Sequence, residues 1–484
     1  MTTAAILLLA LAGQWLLGLA AARPLLRRTP SSPLLTAESS GLAILIGVAL
    51  TAWLSFIYGL CGGPLNAALS WTLTLAGFAA GGTVIWRNRR HLLEQDQTPA
   101  DADEKSFIRL CHAVLLILFL ALLAQTLLTP QHLWDERAIF AIKSAVLFED
   151  ETLRSPSLTH SDFVQGHPRY PLLIPLAERH IYGLLDSRDD RWSKVLFPWL
   201  YLGLTLSFAG VLQRHVKKSA AWLFTIALAT VPCLMPHEYG FLSGQADAPV
   251  GSFHAVSVLY LWSILRRASN APVSHVSLGD ALAAGACAAA AAFTKDEGIA
   301  QIMVDAAALA VIGLVAFRSR AFVILPAAFL ATIVLTLGPW MWYRQSLPLT
   351  NEMNYFGRLS PGLLWQRRDT LNWSVPHVLR RLFLEWRTLG LQWWLMLVAL
   401  LTAPRIAMRP PQLFLIADVI GALAALVVAG MLAPAELQDH LRGSSDRYLM
   451  QIAPIAVLFA AAQWAAPMGD SQHRSGVVSA GDNA

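Results

Sequence analysis

Apolar runs long enough to cross about 30 Å of hydrocarbon recur from one end of this chain to the other, and no other feature constrains its fold as strongly. They lie near residues 4–22, 40–60, 66–86, 110–128, 192–212, 219–235, 247–265, 279–293, 299–317, 321–341, 391–404, 412–433 and 448–466. Read by hydropathy these are about thirteen transmembrane helices, so an all-α integral membrane protein is expected. Composition agrees: 56% of the 484 residues are hydrophobic and 14% charged, against about 25% charged in ordinary globular proteins. Seventeen tryptophans and twenty phenylalanines suit a chain with many membrane interfaces, where such rings settle at headgroup level. The formal charge of +5 is small for this length. The basic residues do not gather on one soluble face, which argues against a nucleic-acid partner. Cys61, Cys111, Cys233 and Cys287 form no CxxC pair, so neither a zinc site nor a disulfide framework is signalled.

The first run ends in Ala-Ala-Ala like a signal peptide, but it lacks a positive n-region and its arginines follow it. It reads as a retained span with the N-terminus outside. One alternating set of loops then carries Arg23/Arg27/Arg28, Arg87/Arg89/Arg90, Arg214/Lys217/Lys218, Arg266/Arg267, Arg318/Arg320 and Arg405/Arg409. The opposite short loops 61–65 and 236–246 hold no lysine or arginine. By the positive-inside rule the basic loops are cytoplasmic. Two long loops, about 129–191 and 342–390, fall outside. Each contains an amphipathic stretch, Arg137 to Phe148 and Pro376 to Leu389, expected as a juxtamembrane helix along the membrane surface. The polar tail 467–484 is expected to be cytoplasmic and disordered.

Five polar clusters sit at helix mouths, all on the outer side: Trp134-Asp135-Glu136-Arg137, His167-Pro168-Arg169-Tyr170-Pro171, Gly244 to Pro249, Thr294 to Gly298, and Asp439-His440-Leu441-Arg442 running on to Ser445-Asp446-Arg447. Each has a structural reading as well. Asp135 suits a helix N-cap, Thr294 with Glu297 a capping box, Asp247 a helix start and Arg447 an interfacial anchor. Capping does not explain why Lys143, Lys295, His440 and Arg442 share one face of the membrane with the carboxylates. After Asp135, helical spacing aligns Glu136, Phe140 and Lys143. Acid beside cation at a membrane surface fits a site for a lipid phosphate, the cation balancing the leaving phosphate and the carboxylate accepting a proton.

The ordered set Trp-Asp-x4-Phe-x2-Lys (134–143), His-Pro-x-Tyr-Pro-Leu-Leu (167–173), Ala-Asp-x-Pro (246–249), Thr-Lys-x-Glu-Gly (294–298) and the run from His440 to Arg447 resembles the GT-C superfamily. These are polytopic glycosyltransferases that use polyprenyl-phosphate sugars, and the chain is similar to protein O-mannosyltransferases and lipid A aminoarabinose transferases. The resemblance covers about 110–466, leaving 1–90 as three additional N-terminal helices. It implies an inverting transfer from a polyprenyl-phosphate sugar donor to a lipid, glycan or protein acceptor on the non-cytoplasmic face. It implies Asp135 as the catalytic base. Arg169 stands where the family often has an acid, so Glu136 or Asp162 is the candidate second carboxylate. Lys143, Lys295, Arg442 and Arg447 are candidates to hold the phosphate, where arginine offers a bidentate fork. His167, Tyr170, Asp247, Glu297 and His440 complete the expected substrate-binding set. A divalent metal has candidate ligands on the outer side in His132, His160, His167, Glu178 and His180, but their spacing matches no metal signature, so no cofactor is signalled. A bacterial inner membrane with the site facing the periplasm fits best, and an endoplasmic reticulum membrane would give the same topology.

Rival readings stay open. A transporter or flippase would place ionisable groups inside the bilayer, where His254, Asp305 and Asp418 are the candidates. A surface-glycan polymerase or ligase would share the topology and the lipid-linked substrate. A non-enzymatic assembly subunit is the fourth class.

Overall fold

The computed structural model describes residues 2–26, 33–92, 102–160, 162, 166–235, 238–269, 275–349, 355–433 and 436–465. Every regular element among them is helical. Among the described residues ten helices are long and apolar enough to cross a membrane, and the chain is an all-α, multi-pass integral membrane protein. Arg27, Arg28 and the tail 467–484 lie outside the described residues.

The N-terminal part is α1 (Thr3–Leu26), α2 (Ala37–Leu60) and α3 (Ala67–Arg87), followed by α4 (Ala102–Leu128). A π-helical turn, Glu136–Ala141, then runs into α5 (Ile142–Glu149), and α6 (Leu173–Leu185) closes the first long connection. Next come α7 (Leu196–Leu212), α8 (Lys218–Ala229), α9 (Asp247–Ala268), α10 (His275–Thr294), α11 (Glu297–Phe317) and α12 (Ala321–Arg344). After the second long connection with its amphipathic α13 (Leu371–Leu384) come α14 (Gln392–Thr402), α15 (Pro410–Leu432) and α16 (Leu437–Trp464).

Three expected spans differ from the ten. At 12 and 11 residues, α8 and α14 are only about 16–18 Å long, short of the hydrocarbon thickness. The run 448–466 forms the second half of the 28-residue α16. Its apolar character is diluted by Gln451 and Gln463, both buried against protein.

The centre of the molecule is α9, whose apolar stretch is wholly buried, while only 11% of that of α4 is covered. Around α9 pack α7, α10, α11, α15 and α16. The three N-terminal helices are built into this core: α1 packs on α2 and α3, and α2 lies along α7. Gly18 and Gly47 mark the α1–α2 crossing, where a Cβ on either would strike the opposite backbone. Small residues let membrane helices approach this closely.

The two ends of α9 differ. At its C-terminal end Arg214, held by Glu38 with an Nε–Oε2 distance of 2.8 Å, also bonds Asp280 at 3.0 Å, and Arg267 joins Asp280 at 3.1 Å. That end gathers residues of the basic loops. The other end, about 31 Å away along a 22-residue helix, carries Asp247 and the motif-bearing segments.

Candidate active site

Asp247 opens α9, and the loop before α11 and the first half of α16 converge on it. Its buried carboxylate accepts from Lys295 Nζ at 2.6 Å through Oδ1 and from Arg447 Nη2 at 2.9 Å through Oδ2. Gln451 Nε2 adds a 3.2 Å bond to Oδ1. A fully buried carboxylate is tolerated only when its charge is paired and its lone pairs filled, and here both conditions hold. Arg447 is the hub of the cluster. It donates to Gln245 Oε1 at 3.0 Å, lies 4.9 Å from the Tyr239 ring centre, and pairs through Nη1 with Asp135 Oδ2 at 2.6 Å. Lys295 also reaches Glu297 at 2.9 Å. Asp135, Asp247, Lys295, Glu297 and Arg447, drawn from four separate segments, thus form one connected group. The Asp135 and Glu297 side chains remain 23% and 33% exposed, so the group opens outward.

Local structure explains the placement of Asp135. It does not cap the following helix: its backbone is already helical and its side chain makes no capping bond. The π-turn places Glu136, Phe140 and Lys143 on one buried face, as expected from spacing, and leaves Asp135 free to reach Arg447. Such turns often occur at functional sites. The capping-box reading of Thr294 and Glu297 also gives way: the Thr294 hydroxyl bonds Ala290 O at 2.7 Å, and Glu297 turns to Lys295.

Glu136, the candidate second carboxylate, is directed away from this group. Fully buried, it pairs with Lys194 at 3.0 Å and accepts from the backbone N–H groups of His132 (2.9 Å) and Leu133 (3.0 Å). Gly244, at φ +70°, packs against the Glu136 carboxylate where a Cβ would collide with it. Glu136 thus anchors the backbone at His132 and Leu133 and does not join the Asp135 group. Asp162, the other candidate, is 87% exposed and lies 3.5 Å from His160. The acid that shares Arg447 with Asp135 is Asp247, and Glu297 shares Lys295 with Asp247.

Lys143 also differs from expectation. Its buried ammonium donates to the carbonyls of His167 (2.6 Å) and Tyr170 (3.2 Å) and lies 5.6 Å from the Tyr170 ring centre. It holds the His-Pro-Arg-Tyr-Pro turn, in which His167 adopts φ +46°, a conformation costly for a non-glycine residue. Arg169 donates to Leu347 O at 2.9 Å, tying this turn to the segment after α12. Arg442 stands apart: its side chain is 61% exposed, 3.9 Å from Asp439 and 5.9 Å from the Trp373 ring centre. His440 has its ring 6.2 Å from that of Tyr355.

Burial dominates the electrostatics around the group. It pushes the Tyr170 phenol well above its ordinary value, with Glu297 and Asp296 adding to the effect. Tyr355 is raised by burial and the same two acids. The Asp296 carboxyl is raised by burial despite Arg344, whose two bonds to it measure 2.9 and 2.7 Å. His440 is lowered by burial, partly countered by Glu297.

The chain matches no protein-family model, no curated protein and no solved structure.

Beneath Asp135 lies a second polar network. Glu178 of α6 accepts from Ser144 Oγ at 2.5 Å and Gln131 Nε2 at 2.6 Å. Burial raises its carboxyl to about 7, against the lowering effect of both bonds. His180 lies 3.4 Å from Thr74 of α3, so Glu178 and His180 serve different contacts. Lys194, Gln451 and Tyr239 were not singled out by sequence. Lys194 and Gln451 do carry a signal, being polar residues at or inside apolar runs that their packing must satisfy.

Proposed function

We propose that this protein transfers a sugar from a polyprenyl-phosphate donor to an acceptor hydroxyl on the outer face of the membrane. The observation that carries this reading is the Asp135–Arg447–Asp247–Lys295 group, which sets one outward-facing carboxylate against Arg447 and links it through Asp247 to a second cation, Lys295. In the reaction the acceptor oxygen bonds to the anomeric carbon as the bond from that carbon to the phosphate oxygen breaks. The electron pair leaves with polyprenyl phosphate, and the acceptor proton passes to Asp135. Arg447 and Lys295 are the groups available to balance charge developing on the leaving phosphate. Asp247 holds both cations in place. Attack opposite the departing phosphate makes the transfer inverting.

The finer topology belongs to the same reading. Thirteen crossings, counting α8, α14 and the second half of α16, would put both long loops outside, with α13 along the surface. The catalytic core would run over about 110–466, in an inner membrane facing the periplasm. The resemblance to GT-C enzymes supports it, as does the segregation of the Arg214–Glu38–Asp280 cluster to the opposite end of α9.

Asp135→Asn should lower transfer to a soluble acceptor by about 10²-fold or more, the usual contribution of a general base. The protein should still elute as wild type in detergent. Full activity in the purified variant would refute Asp135 as base. The buried His254, Asp305 and Asp418 keep a transport reading in play. Flux in donor-free liposomes that Asp305→Asn abolishes would favour it.

A further inference from the structure

Inside the bilayer region, α9, α11 and α15 each direct one ionisable side chain to a common point. His254 Nε2 lies 3.4 Å from Asp305 Oδ2 and 3.4 Å from Asp418 Oδ1. One donor atom from each of the three residues falls within 4.8 Å of the others, and all three residues are buried. His254 is seven residues into α9 and Asp305 eight into α11, about 10–12 Å below the outer group.

These contacts are too long for N–H···O hydrogen bonds. Both ring nitrogens and all four carboxylate oxygens are buried without a hydrogen-bond partner. Two unsatisfied carboxylates facing one imidazole in a low-dielectric interior are costly. The spacing has a specific reading. Nitrogen and oxygen ligands held about 2.0–2.2 Å from a tetrahedral ion are about 3.3–3.6 Å apart, which matches both 3.4 Å separations. A dication would neutralise two carboxylates while His254 donates its Nε2 lone pair, leaving no net charge in the membrane.

We propose that His254, Asp305 and Asp418 bind one divalent first-row transition-metal ion. One imidazole and two carboxylates form a borderline donor set, suited to zinc, manganese or cobalt more than to an all-oxygen calcium or magnesium cage. A polar route leads to it from the outer mouth. Asp247 accepts from Gln451 Nε2 at 3.2 Å, and Gln451 Oε1 accepts from Gln301 Nε2 at 3.1 Å. Gln301 lies one helical turn before Asp305 on α11. The site is independent of the outward group, because none of its three residues touches Asp135, Arg447 or Lys295 through a hydrogen bond or ion pair among the described residues.

The experiment uses the full chain in detergent, stripped with a chelator, dialysed, and titrated with Zn2+ and with Co2+. One Zn2+ per chain by elemental analysis is expected, with visible Co2+ bands of a four-coordinate site that Zn2+ displaces. Asp418→Asn and His254→Gln should each weaken binding by more than about tenfold. His160→Ala, which removes an exposed histidine, should leave it unchanged. Zn2+ should raise the melting temperature of wild type and not of Asp418→Asn. Wild-type protein that retains no more metal than an Asp305→Asn/Asp418→Asn double variant would overturn the proposal. So would loss of the Co2+ bands on His160→Ala alone, or saturation by Mg2+ in preference to Zn2+. None of these readouts requires sugar transfer, so failure here is distinct from failure of the proposed activity.

Discussion

The Glu136–Lys194 pair offers the sharpest check on how the loop bearing Asp135 is held. Both side chains are fully buried and 3.0 Å apart. Their attraction is about 5–6 kcal/mol at an effective dielectric of 20, most of it offset by the cost of removing both charges from water. Taking away one partner leaves that cost uncompensated. Lys194→Met strands the Glu136 carboxylate against two backbone N–H groups and should destabilise the fold by about 3–5 kcal/mol. A cooperatively unfolding chain of 484 residues has an unfolding entropy near 1 kcal/mol/K, so the melting temperature should fall by about 3–5 °C. The double variant Glu136→Gln/Lys194→Met removes both charges and should recover at least about 2 kcal/mol of the summed single losses. Thermal unfolding of the detergent-solubilised proteins, followed by intrinsic tryptophan fluorescence, reads all four corners of the cycle. Additive losses, or a Lys194→Met protein that melts with wild type, would show that the pair is solvated and does not anchor the loop.

Two further outcomes follow from the same loop. The Glu178 carboxyl binds its proton more tightly when folded, at about 7 against an ordinary 4.5. Its contribution is therefore complete below pH 4.5 and lost as pH rises through 7, a change of about 3 kcal/mol. Glu178→Gln should flatten that part of the stability–pH profile, and a slope between pH 5 and 7 identical to wild type would sink the assignment. With the exposed Cys61 replaced by alanine, a cysteine placed near Gly166 at Asp162, whose side chain is 87% exposed, should react with an impermeant thiol reagent on intact cells, whereas one at Lys217 should react only after permeabilisation. The reverse pattern would invert the topology.

What the sequence conveyed depended on the kind of signal. Long apolar runs announce a membrane helix because hydropathy sums along one segment, and ten of the thirteen runs lie in helices of full length. It failed where polar residues face protein rather than lipid, as at Gln451 and Gln463 of α16. The motifs placed Asp135, Asp247, Lys295, Glu297 and Arg447 in one region, and they are joined by direct contacts. Spacing also aligned Glu136, Phe140 and Lys143 correctly. It could not tell which way that face points, because Lys194 and the carbonyls of His167 and Tyr170, which bury it, come from distant segments. His254, Asp305 and Asp418 could be marked singly as unusual. Their convergence depends on the rotation of three helices, which no local pattern encodes.

The three N-terminal helices contribute no residue to the Asp135 group, yet they bear on it through α6. Arg179, buried next to Glu178, donates to Ser70 Oγ of α3 at 2.9 Å and to the carbonyl of Leu65. Glu178 in turn holds Ser144, the neighbour of Lys143, and Gln131, four residues before Asp135. Leu65 N–H bonds Glu151 O at 2.7 Å, and the Tyr343 hydroxyl on α12 donates to Leu153 O at 2.5 Å. Phe56 of α2 packs edge-on against Trp340 and Tyr343 of that helix. The first long connection is thus clasped between the N-terminal helices and α12. Each clasp is a buried polar bond or aromatic contact, costly to break within a membrane protein. A carboxylate on an unsupported loop could not keep an ion pair to an arginine some three hundred residues away. These helices therefore act as a brace for the loop that carries Asp135.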